Sequence, residues 1–174
     1  MANTFVKLAT VTVGTARLTI EFTSIPATYN DLALYVSARS DRSSGTQSDF
    51  QLRFNGDTAS NYAYQSMQGN GSTFSAADST ISTFGGLGVM PQDTDTASVF
   101  GASFIYIPIY TSAVHKSYMA RTVRENNATS SDVRIVSGIY KQNTAISSIT
   151  LFAESNTQNF KQYSTATLYG IKNT

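Results

Sequence analysis

Along most of this chain apolar residues recur at every second position, the spacing that places them on one face of an extended strand. From Ala16 to Phe22 the set Ala16, Leu18, Ile20 and Phe22 alternates with Arg17, Thr19 and Glu21, which predicts a half-buried antiparallel strand with one core face and one wet face. The same reading turns Leu32, Leu34, Val36 and Ala38 inward in the next strand, and Phe50, Leu52 and Phe54 in the one after. Further strands are predicted at 5–13, 62–68, 97–107, 116–124, 132–140, 146–153 and 160–171, giving about ten in all. No window carries the i, i+3, i+4, i+7 pattern of an amphipathic helix, and Val, Ile, Thr, Tyr and Phe dominate the periodic stretches.

The separators have turn chemistry. Val13-Gly14-Thr15, Asn55-Gly56-Asp57, Gly69-Asn70-Gly71 and Glu125-Asn126-Asn127 supply residues that tolerate positive φ, so many hairpins are expected. The fold class expected is all-β: an antiparallel two-sheet sandwich, jelly-roll-like, in preference to a closed barrel. Residues 1–174 form one domain, interrupted at about 69–95 by a long Ser/Thr/Gly-rich excursion that is either functional or a partner-contact arm.

Composition narrows the function classes. Charged residues are only 13% of the chain and the net charge is +1, so the surface is expected to be hydroxyl-rich and the chain is not expected to bind nucleic acid. Cysteine is absent, which excludes disulfides and thiolate metal sites and suits assembly in a reducing cytoplasm. Neither an apolar signal-peptide core nor a run of ~20 apolar residues is present, so synthesis in a host cytoplasm and no membrane partner are expected.

Candidate chemistry is sparse. The single histidine, His115, lies in a loop without a Gly-x-Ser-x-Gly elbow, and is read as a solvated turn residue. Asp93-Thr94-Asp95 places two carboxylates near each other as a candidate site for a hard cation, without EF-hand spacing. Asp57, Asp78 and Glu125 could supply a carboxylate pair for glycoside hydrolysis, but nothing fixes their separation. Asn55, Asp57, Tyr62 and Tyr64 combine the amide, carboxylate and aromatic groups used for sugar or partner contact. The competing reading is a hairpin turn followed by two tyrosines that simply pack. Asn70-Gly71-Ser72 and Asn127-Ala128-Thr129 match the glycosylation sequon, and are read as chance matches. No cofactor is expected.

Several segments, in order, resemble a recurrent group of tailed-phage virion proteins: FTSIPATYNDL at 22–32, RSDR at 39–42, LRFNGD at 52–57 with SNY at 60–62, and FKQYSTATLYGI at 160–171. Glu125-Asn126-Asn127-Ala128 and Ser148-Ile149-Thr150-Leu151 fall between them in the same order. The resemblance spans almost the whole chain apart from 69–95. It implies a non-enzymatic capsid-decorating or tail-associated protein with no catalytic site to carry over. The expected role is a capsid cement or decoration protein on the outer virion surface that binds other virion proteins, the major capsid protein first. A homo-oligomer is expected, for which a trimer is plausible. The alternative is a tail-fibre or receptor-binding module that recognises host surface glycan.

Overall fold

The computed structural model describes residues 4–126 and 130–172. Twelve strands run in the order β1 (Phe5–Thr12), β2 (Thr19–Phe22), β3 (Asp31–Ala38), β4 (Ser48–Phe54), β5 (Tyr62–Gly69), β6 (Phe74–Ser82), β7 (Gly85–Met90), β8 (Gly101–Ile107), β9 (Lys116–Asn126), β10 (Ser130–Tyr140), β11 (Ile149–Ala153) and β12 (Thr165–Ile171). They form an eight-stranded sheet, ordered β1-β12-β3-β8-β9-β10-β5-β6, and a four-stranded sheet, ordered β2-β11-β4-β7. Every pairing is antiparallel. The expected all-β sandwich is therefore what the chain builds.

The order of the strands reveals more. Without β5, β6, β9 and β10, the sheets reduce to β1-β12-β3-β8 and β2-β11-β4-β7, the two interleaved Greek keys of a jelly roll. The remaining four strands are two insertions: one hairpin between β4 and β7, the other between β8 and β11. Both add to the same edge of the large sheet, beyond β8, as a four-stranded annex.

The sheets meet through the predicted inward residues of β3 and β4: Leu32, Leu34, Val36, Ala38, Phe50, Leu52 and Phe54 are all buried. In β2 the expected set is only half right. Ile20 and Phe22 are buried but Ala16 and Leu18 are exposed, because residues 13–18 cross from one sheet to the other and pair only locally, through Val13 with Ser164 and Arg17 with Phe160. Ala16 and Leu18 lie in that passage beyond the cover of the second layer, whereas Val13 at its start is buried.

The segment at 69–95 is not irregular. It contains β6 and β7, the last strand of each sheet. Gly69-Asn70-Gly71 makes the β5–β6 hairpin, where the Asn70 side-chain oxygen accepts the backbone N–H groups of Ser72 and Thr73 at 3.1 and 2.8 Å. Asn55 and Gly56 also turn the chain, with φ of 54° and 66° and a hydrogen bond from Asp57 N to Phe54 O of 3.0 Å, the geometry of a type I′ turn. This turn does not make the expected hairpin, since β4 pairs with β11 and β7 whereas β5 pairs with β10 and β6. It launches the chain from the small sheet to the annex.

Aromatic packing joins annex to core. Tyr62 stacks on Tyr140 at 4.9 Å, and Phe54 of the small sheet lies 5.4 Å from Tyr140 and 5.9 Å from Tyr118. Tyr118 lies across its cross-strand neighbour Gly138 so closely that a Cβ there would come within 2.0 Å of the ring. The ring occupies the space the glycine leaves open.

Candidate association surface

The residues singled out for sugar or partner contact are used internally. Asn55 binds the opposite loop: its side-chain oxygen accepts from Ser147 N at 2.8 Å and its amide donates to Ala145 O at 2.8 Å. Asp57 accepts from Ala59 N at 2.8 Å, from the Asn61 amide at 2.7 Å and from the Tyr140 hydroxyl at 3.0 Å. Burial pushes the Asp57 carboxyl up, but these hydrogen bonds outweigh it and hold the group below its ordinary value. Tyr62 has no exposed surface, and its hydroxyl accepts from Phe54 N at 2.9 Å. Desolvation pushes the Tyr62 phenol well above its usual range. Tyr62 therefore cannot touch a ligand. Tyr64 is half-buried and lies where a Cβ on Gly86 of β7 would collide with its ring. The four residues form a buckle between annex and small sheet.

The candidate cation site is also taken apart. Asp93 pairs with Lys161, whereas Asp95 is buried and its carboxylate accepts from Gln92 N at 2.9 Å and lies 3.4 Å from Arg124. No group of three or more metal-ligating side chains occurs among the described residues. His115 is exposed in the connection before β9.

Sequence patterning missed a buried polar clamp. Arg39, just past β3, donates to the carbonyls of Thr96, Val99 and Asp95 at 2.7, 2.9 and 3.0 Å. Arg124 meets Asp132 at 2.6 Å. These contacts fix residues 95–99 against the large sheet. Arg39 stood out in the sequence only as part of the resemblance.

The feature with functional promise is the outer face of the eight-stranded sheet. Of the fourteen large apolar side chains exposed among the described residues, nine lie there. Phe5 and Tyr35 belong to the jelly-roll strands β1 and β3. The other seven belong to the annex: Met119 and Val123 on β9, Val133, Ile135 and Ile139 on β10, with Met67 and Phe74 on β5 and β6. No protein-family model, curated protein or solved structure matches this chain. Its function must be argued from this geometry.

Register shows that the patch is continuous. One row across the sheet runs Thr167, Tyr35, Phe104, Arg121, Ile135, Met67, Ala76, each directly opposite the next. The adjacent row runs Ser37, Ala102, Val123, Val133, Gly69, Phe74. Arg121, the charge in the middle of this face, lies over the Phe104 ring at 5.4 Å, which lowers the cost of covering it. Scattered exposed apolar residues need no explanation, but a contiguous patch marks an interaction surface. The expectation of a wet outer face fails over the annex, where β10 turns Val133, Ile135 and Ile139 outward.

Proposed function

We propose that this protein is a non-enzymatic structural component of a tailed-phage particle, acting as a capsid cement or decoration protein and associating through the outer face of its eight-stranded sheet. The observation that carries the reading is the apolar patch, concentrated on strands that the jelly roll itself does not require. A fold supplies a scaffold and function resides in what is grafted onto it. The resemblance of several segments to virion proteins supports the particle as the place of action, with other virion proteins, the major capsid protein first, as partners.

Low charge fits the role. An interface of apolar contacts and neutral hydrogen bonds is little affected by salt that screens ion pairs. Cement action follows from linkage: a protein that binds the assembled shell more tightly than its separated subunits shifts the equilibrium toward the shell. The test compares particles made with and without the protein. The proposal expects stoichiometric attachment and a lower disruption temperature for particles that lack it. Particles that stay equally robust but no longer adsorb to cells would replace this reading with a receptor-binding one.

A further inference from the structure

We propose that two copies of this chain pair face to face through the outer surface of the eight-stranded sheet, about a two-fold axis running along the strands midway between β8 and β9. The inference rests on the preceding section only in taking this face as an association surface. It names the occupant of that face as a second copy, so that the pair would meet other virion proteins through its remaining surfaces.

The argument is that the face is complementary to itself under this one operation. β8 and β9 are the central strands of the sheet, so the rotation lays β9 over β8 of the second copy, β10 over β3, and β6 over β1. Arg121 and Phe104 are neighbours in one row. Each Arg121 therefore faces Phe104 of the other copy instead of a second Arg121, and like charges do not meet. Ile135 falls on Tyr35 of the other copy by the same rule.

The rim agrees. A third row runs Lys7, Tyr169, Ala33, Tyr106, Met119, Ser137, Gln65, Asp78 from edge to edge. Its two ends are an exposed lysine on β1 and an exposed aspartate on β6, equally far from the axis. The rotation brings Lys7 onto Asp78 of the other copy, twice. An isologous interface requires this kind of reciprocal match.

Size is sufficient. A face eight strands wide, at about 4.8 Å per strand and roughly seven residues tall at about 3.3 Å each, covers roughly 900 Å². A stable interface buries about 800 Å² per partner.

The experiment uses the full purified chain in sedimentation equilibrium. The wild type is expected to be a dimer, and Ile135→Glu a monomer with an unchanged circular dichroism spectrum, because Ile135 is exposed, and with the melting temperature that the wild type shows at dilutions where it dissociates. Lys7→Asp and Asp78→Lys should each raise the dimer Kd on the order of tenfold, by placing like charges opposite each other at two places, and the double swap should restore it. Carbodiimide should link Lys7 to Asp78, which within one chain stand at opposite edges of the sheet, roughly 34 Å apart at about 4.8 Å per strand. A monomer, a trimer, a dimer indifferent to Ile135→Glu, or a double swap without rescue would overturn the inference. A dimer that does not attach to particles would sink the virion reading alone, and a monomer that attaches would sink this inference alone.

Discussion

At the scale of single residues, two buried tyrosines on neighbouring strands have opposite fates. The Tyr140 hydroxyl donates to the Asp57 carboxylate at 3.0 Å, whereas the Tyr118 hydroxyl is buried without a hydrogen-bond partner. An unpaired buried hydroxyl is a cost and a paired one a gain. Tyr140→Phe should therefore destabilise the fold by about 1 to 3 kcal/mol, while Tyr118→Phe should be neutral or stabilising by up to about 1 kcal/mol; urea denaturation of both variants checks this. Asp57 adds a pH dependence. Its folded pKa lies below the ordinary value of 3.8, so its contribution is complete above the unfolded pKa and is lost as pH falls through the folded one. The stability deficit of Asp57→Asn at neutral pH should narrow as the pH drops below about 4; a deficit that stays constant into acid would contradict this account. The resemblance gains a physical meaning here. Arg39, Asn55, Asp57 and Tyr62 all lie in the segments that resemble virion proteins, and all of them clamp loops or sheets together. They report how the scaffold is held, which is why they do not form a contact site.

At the scale of elements, strands were legible where one face is buried and the other polar, and obscure elsewhere. In β3 and β4 the inward residues are as expected, although Asp31, Ala33 and Gln51 of the opposite parity are buried as well. Leu34→Ala and Leu52→Ala should each cost about 2 to 5 kcal/mol through transfer and cavity terms, measurable by denaturation. A loss below about half a kcal/mol at both would mean that the register is wrong. β6 and β7 escaped for opposite reasons. β6 is an edge strand exposed along nearly its whole length, so no apolar period marks it. β7 is buried at every position and half glycine, so no polar period and little β-branched character mark it. The patch was missed for a related reason: β10 places Val133, Ile135 and Ile139 outward and Val136 and Tyr140 inward, and apolar residues of both parities erase the alternation that identifies a wet face.

At the scale of the whole molecule, the division is between a jelly roll that stabilises the chain and a four-stranded annex that supplies most of the apolar outer face. The uncommon feature of the described residues is an apolar surface. The central claim is that this surface is covered when the protein works. Hydroxyl-radical footprinting of the free chain at high dilution and of the assembled or particle-bound form tests it most directly. Met67 and Met119 lie exposed on the face, Tyr163 and Leu18 are exposed away from it, and Met90 is buried. The account predicts that Met67 and Met119 become protected on assembly, that Tyr163 and Leu18 keep their reactivity, and that Met90 is unreactive throughout. Met67 and Met119 oxidising equally in both states would contradict it.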